Sequence, residues 1–353
     1  MNSGTSIRLA SALDKQLIRE FIANEWSPEH VLVKSEAIFN WQYWDSFRNR
    51  PNFLLAEKDN LVVGILGFTN YGQYLNSEEF IGFNWLSMWK VKSQASPATG
   101  LHLLFEMKKQ FPSTPLATVG CNQRAKRIYE GLGFVTGSLN HFYVVGRRKT
   151  SILKGLVTID GQDSLKYVDE VKFRNSFLGE ELNEEKTIEV FRKFEVLGLE
   201  FDECKTAEFY IKRYLRCPIY SYHCHSIVDA MGEIICIMFF RIVDIPQGSV
   251  IRILEIISPF NDIQIYNPVQ DLLELNEADY ADFYTSEPPN TKYEIFGLPL
   301  VKLDLNLPNL FEPLNLEKRV FNYAYQKGMK IKSISRGDCD QDRPTQVNPN
   351  DVT

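Results

Sequence analysis

The stretch 121-CNQRAKRIYEGLGF-134 decides how this chain is read. It follows an apolar run at 116–120 that has the length of a buried strand. Residues 123–132 then read as an amphipathic helix, stopped by the glycine turn ahead of Phe134. Asn122 stands at the strand end, where a side-chain amide can bond a ligand. Ala125 lets the helix lie close to that point. Tyr129 comes seven residues after Asn122, two helical turns on, and returns to the same face. Its phenol is protonated at neutral pH and is therefore available as an acid. Packing alone also explains a tyrosine on an amphipathic helix, so the surrounding elements have to decide between the two.

Upstream, 13–24 has helical periodicity with Asp14 near its start, and 35–47 is a second helix. Residues 52–57 and 61–70 form a hairpin around the turn 58-KDN-60. A long strand covers 80–92, a loop runs through 93-SQASPATG-100, and a helix covers 101–110. After the 123–132 helix, 141-HFYVVG-146 is a final strand. The order is α-α-β-β-β-α-β-α-β.

With this order, the pattern N-x-x-A-x-x-x-Y-x-x-x-G-F, carried by Asn122, Ala125, Tyr129, Gly133 and Phe134, resembles the GNAT superfamily of acyl-CoA-dependent N-acyltransferases. The resemblance spans residues 5–147. It implies a strand that splays from its neighbour just before the motif, with pantetheine in the gap. It also implies thioester polarisation by backbone N–H groups near Leu86 and Met88, proton donation to the leaving thiolate by Tyr129, and coenzyme contacts at Asn122, Arg124 and Ala125. The family's pyrophosphate loop, [Gln/Arg]-x-x-Gly-x-[Gly/Ala], matches only as Ala95, Ala98 and Gly100, with Gln94 one place out. The helix start after Gly100 still offers free N–H groups to an anion, assisted by Lys92 or Ser93.

The second half repeats the first in part. The segment 232-GEIICIMFF-240 parallels 60-NLVVGILGF-68, and 249–259 parallels the long strand at 80–91. After Ser258 there is no glycine loop and no second Asn–Ala–Tyr pattern. The expected fold is α/β (α+β): two tandem GNAT-like domains with mixed, splayed central sheets, the second degenerate. Residues 1–150 form the acyl-CoA-binding domain and 151–353 the acceptor domain, joined through the polar 146-GRRKTSILKGLVTIDGQDS-164, with the acceptor held in a cleft between the halves.

Composition narrows the partners. The 353 residues are 44% hydrophobic and 24% charged, with a net charge of −6, which argues against nucleic acid or a membrane surface. No apolar run spans a bilayer, and the N-terminus lacks a signal-peptide pattern, so the expected compartment is the cytoplasm. The six cysteines include no Cys-x-x-Cys pair. Cys217, Cys224 and His225 are a poor metal set, because adjacent strand residues face opposite ways, so no metal is expected.

For the acceptor, 25-EWSPEHVL-32 lies where this superfamily admits it, and 83-FNWLSMW-89 lies on the strand facing it. His30 or Glu25 could take a proton from an ammonium group, with water the other option. Asn84 and Trp85 point to opposite faces, so one of them lines the cleft. The turn-rich tail brings together Asp338, Asp340, Asp342 and Arg343, and an arginine can fork onto a diphosphate. Tyr220, Tyr222 and Phe283 are candidates to stack a base. The tail 337-GDCDQDRP-344 also resembles tandem-GNAT proteins of surface-polysaccharide biosynthesis. That resemblance implies a dTDP-linked 3-amino-3,6-dideoxyhexose as acceptor, and 3-hydroxybutanoyl-CoA or acetyl-CoA as donor. A non-catalytic binding protein on this fold, and an acyltransferase acting on a peptide or amino-acid amine, are the alternatives. The sequence encodes no oligomeric state.

Overall fold

A computed structural model describes residues 4–75, 77, 82–147, 174–199, 205–260, 262–287, 298, 300, 307–311, 314–329, 331–343 and 345. Most of the expected linker and the last residues of the tail lie outside them. The chain divides into two compact units. One comprises Met1–Gly137, Phe321–Lys330 and Asp338–Thr353; the other comprises Ser138–Val320 and Ile331–Gly337. This differs from the expected break at 150/151, and the reason is an exchange of strands.

In chain order, the first unit contributes β1 (Ser6–Leu9), β2 (Phe53–Lys58), β3 (Leu61–Asn70), β4 (Asn84–Val91), β5 (Leu116–Cys121) and β6 (Val135–Ser138). Its helices are α1 (Lys15–Glu25), α2 (Val31–Lys34), α3 (Glu36–Tyr43), α4 (Tyr71–Leu75), α5 (Thr99–Gln110) and α6 (Gln123–Gly131). The second unit has β7 (Asn140–Val145), β8 (Ser176–Glu181), β9 (His223–Asp229), β10 (Ile234–Ile245), β11 (Gly248–Ile257) and β12 (Tyr280–Thr285), with α7 (Glu184–Val196), α8 (Ala207–Tyr210) and α9 (Tyr266–Leu275). A last strand, β13, covers Asn322–Tyr325.

The first sheet runs β1-β2-β3-β4-β5-β13-β6 and the second β8-β9-β10-β11-β12-β7. The strand read from 141-HFYVVG-146 is β7. It pairs antiparallel with β12, from Tyr280↔Val145 to Thr285↔Asn140, in the second sheet. In the first sheet β13 lies antiparallel to β5, with Tyr323↔Val119 and Tyr325↔Ala117. Each sheet is thus completed by a strand from elsewhere in the chain. Alternation identifies a strand; it does not name the partner.

The expected second helix stops early. Ser35 caps α3 by accepting the Ile38 N–H, and Trp44 is already extended after Tyr43. The strand β1 was not read from the sequence. It is held by Arg8, whose guanidinium bridges Asp14 at 2.7 Å and Glu57 at 2.6 Å. The core of the first unit joins Leu54, Leu66, Phe68, Leu86, Leu103, Met107 and Leu116 with Tyr129. Each such side chain contributes about 1.5–3 kcal/mol on burial.

In the second unit, α9 covers a core that includes Phe142, Ile251, Ile253, Val269 and Phe283. A buried ion pair ties β11 to β12, with Arg252 donating to both Asp282 oxygens at 3.1 and 2.9 Å. These two strands pair in parallel only from Val250↔Tyr280 to Ile253↔Phe283. Beyond that point Ser335 bridges Thr285 and donates to Glu255 at 2.9 Å. Ser335 therefore lies where β11 and β12 part.

Candidate functional site

The site begins where β4 and β5 part. They pair in parallel only at Asn84↔Leu116 and Trp85↔Ala117. On its other edge β4 carries a bulge: Gly67 faces Ser87 and Ile65 faces Lys90, so Met88 and Trp89 together face Leu66. Met88 has φ +44°, a left-handed conformation that a methionine adopts at a cost of about 1–2 kcal/mol. A bulge of this kind turns a strand away from its neighbour. Across the gap, Thr118 Oγ1 donates to the Leu86 carbonyl at 2.8 Å. Cys339 Sγ also approaches this oxygen, at 3.6 Å, and accepts from the Val119 N–H.

Tyr129 rises from α6 toward this region. It is almost fully buried, its ring 5.7 Å from Trp89 and 5.1 Å from Phe134. Its hydroxyl has no hydrogen-bond partner among the described residues. Burial pushes the phenol above its ordinary value, and Cys121 and Cys339 push it the same way, so it stays protonated at neutral pH.

Asn122 is placed differently from the expectation. It is the N-cap of α6, its Oδ1 accepting the Ala125 N–H at 2.9 Å. The carbonyl is thus occupied, and the exposed amide NH₂ is what it can offer a ligand. Arg124 is exposed in the same first turn, and Ala125 packs against the core. The other anion candidate is the start of α5. Ala98 precedes it without a side-chain cap, and helix geometry leaves the Gly100 and Leu101 N–H groups without intrahelical partners. Gly100 packs against the Trp89 indole, where a Cβ would make ordinary contact at 3.4 Å from the ring nitrogen. Lys92 Nζ lies 5.7 Å from the centre of the Phe21 ring, and Ser93 donates to Gln94 at 3.1 Å.

His30 is a cap. Its Nδ1 accepts the Leu32 N–H at 3.2 Å at the start of α2. Burial lowers its pKa to about 4, which makes it a poor proton acceptor for an ammonium group. Glu25, the last residue of α1, is half-buried.

Of the acceptor candidates, Asn84 is buried and accepts from Asn70 Nδ2 at 3.1 Å. Trp85 is buried against Phe83, and its indole N–H has no partner among the described residues. Arg343 is not available to a diphosphate. It donates to Gln42 at 2.6 Å and to the Cys339 carbonyl at 3.2 Å, faces the buried Asp342 at 3.4 Å and lies over Trp41 at 4.5 Å. Asp340 is half-buried. In the second unit, Phe283 is in the core and Arg241 lies 4.6 Å from the Tyr220 ring and 5.7 Å from the Tyr222 ring, so these rings are already covered. Four site residues escaped the sequence reading: Thr118, Cys339 and the Tyr43–Ser87 pair, whose hydroxyls meet at 2.8 Å. The one available signal was Cys339, a single soft residue within an acidic run.

Among the described residues no group of three or more His, Cys, Asp and Glu side chains could hold a metal, and no helix is long and apolar enough to cross a membrane. No protein-family model and no curated protein matches the sequence. Solved structures do resemble it. The chain is similar to a GCN5-related N-acetyltransferase from Anabaena variabilis, with a TM-score of 0.54 at 10% identity over 91% of this chain and 72% of that one. It is similar to the corresponding protein from Kribbella flavida, with a TM-score of 0.51 at 11% identity over 91% and 71%.

The fold is that of the GCN5-related N-acetyltransferases. A probable N-acyltransferase from Enterococcus faecalis shares it, with a TM-score of 0.51 at 8% identity over 84% of this chain and 70% of that one.

Proposed function

We propose that this chain is an acyl-CoA-dependent N-acyltransferase, with its donor site in the first unit. The observation that carries the reading is the parting of β4 and β5 beyond Trp85↔Ala117, with a buried, protonated Tyr129 beside it. The backbone N–H groups from Leu86 to Met88, where β4 leaves its partner, are the candidates to polarise a thioester carbonyl. The start of α5 and the exposed Arg124 suit the coenzyme phosphates. The reaction is direct: an amine attacks the thioester carbon, the C–S bond breaks, and Tyr129 gives its proton to the departing sulfur. The acceptor class is a nucleotide-linked amino-deoxy sugar, with dTDP as the nucleotide, and the donor is 3-hydroxybutanoyl-CoA or acetyl-CoA. What supports this choice is the resemblance of the tail 337-GDCDQDRP-344 to tandem-GNAT proteins of surface-polysaccharide biosynthesis.

The test is free-thiol release from each acyl-CoA against dTDP-linked and other nucleotide-linked amino sugars, with amino acids and a peptide as further acceptors. Release only with an amino sugar is the expected result. Release with a peptide or amino acid alone replaces the acceptor class. No release, together with no thermal shift on adding CoA, overturns the reading, since a ligand that binds the folded state raises its stability.

A further inference from the structure

The C-terminal turn enters the first unit beside the parted strands. Cys339 places its sulfur on the Leu86 carbonyl at 3.6 Å, at the edge of the gap. The turn is fixed from both ends: Asp338 accepts from the Tyr71 hydroxyl at 3.1 Å, and Arg343 donates to the Cys339 carbonyl at 3.2 Å and to Gln42 at 2.6 Å. Asp342 faces Arg343 and is buried. Asp338 and Asp342 therefore have structural partners on other residues of the unit. Asp340 does not. Its one hydrogen-bond partner among the described residues is the amide of its neighbour Gln341, and its side chain remains half-exposed. Burial pushes the Tyr43 phenol and the Cys339 thiol upward and the charge of Asp340 adds to both, and Tyr43 in turn meets Ser87 of β4 at 2.8 Å. Trp85 precedes Ser87 by two residues and so shares its strand face. It carries a buried indole N–H with no partner among the described residues, a donor left for a ligand.

We propose that Asp340 is the catalytic carboxylate that binds the acceptor ammonium beside β4 and takes its proton. The assignment rests on the acyltransferase reading above. The ammonium gives one proton to Asp340, which passes it to water. The nitrogen lone pair then forms the C–N bond at the thioester carbon. As the C–S bond breaks, sulfur takes the Tyr129 proton, and the second amine proton returns to the Tyr129 oxygen. The products are an amide and free CoA thiol. His30, with its Nδ1 committed to the Leu32 N–H, has no part in this step.

Asp340→Asn tests it, in the full chain, with 3-hydroxybutanoyl-CoA and a dTDP-linked 3-amino-3,6-dideoxyhexose. The expected result is a fall in kcat/KM of about 10²-fold or more at neutral pH. The lost rate should return as pH rises and free amine accumulates, and the CoA-dependent thermal shift should be unchanged. Asp340→Ala should recover part of its rate on addition of formate. A kcat/KM within threefold of the wild type, or a loss that neither high pH nor formate restores while the CoA shift persists, overturns the assignment. A wild-type protein that releases no thiol with any acceptor overturns the acyltransferase reading itself, and this assignment with it.

Discussion

Thr118 of β5 holds the Leu86 carbonyl of β4 at 2.8 Å, at a point where the two strands no longer share a ladder. A side-chain hydroxyl replaces a backbone donor, so the gap opens without leaving this buried carbonyl unpaired. Thr118→Val keeps the shape and removes the bond. The variant should lose about 1 kcal/mol, or about 2–4 °C in the midpoint of the first unit. An unchanged midpoint would mean that the Cys339 thiol alone satisfies Leu86.

Tyr129→Phe separates packing from chemistry. The ring contacts with Trp89 and Phe134 survive the change, and the hydroxyl that is removed has no partner among the described residues. Thermal stability and CoA binding should therefore stay within error, while turnover with the chemical step limiting should fall about 10²-fold. A fall below threefold would remove Tyr129 from the role of acid.

His30 predicts a pH dependence of stability. Its pKa in the folded protein is about 4, below the ordinary histidine value near 6.5, because burial disfavours the charged ring. Between these values the unfolded chain binds more protons than the folded one. Stability should thus be lost as pH falls from about 6.5 toward 4, and be fully present above that range. Asn is a good N-cap but does not titrate. His30→Asn should therefore fold normally, lose less stability over that window, and keep its turnover, measured by denaturant unfolding at several pH values and by thiol release. A steep loss of turnover at neutral pH would restore His30 as the base.

The helix and strand positions around Tyr129 were legible because they depend on local pattern: 61–70 matches β3 and 123–132 nearly matches α6. What was not legible is what depends on distant partners. His30 looks like a general base in sequence, yet three features of its surroundings, burial, the α2 start and the Leu32 N–H, make it a cap. Arg343 looks free for a diphosphate, yet its partners Gln42 and Trp41 lie about 300 residues earlier in the chain. The strand at 141–146 was found, but the sheet it joins is a tertiary fact.

That exchange of strands predicts the outcome of truncation. A chain ending after residue 147 retains α6 and β6 but lacks β13, which pairs β5 from Asn322↔Cys121 to Tyr325↔Ala117. It also lacks Ala324, which is buried in the same core as Tyr129, and the Asn322 amide that donates to the Cys121 carbonyl at 3.0 Å. The edge of β5 would then present unpaired N–H and C=O groups along an apolar strand, a template for aggregation. The expected result is insoluble material, or a soluble fraction with no cooperative thermal transition. Adding a peptide covering 318–329 in trans should recover a transition, because it restores the missing strand. A fragment of 1–147 that unfolds cooperatively by itself, with the same midpoint as the first unit in the whole chain, would show that β5 does not need β13.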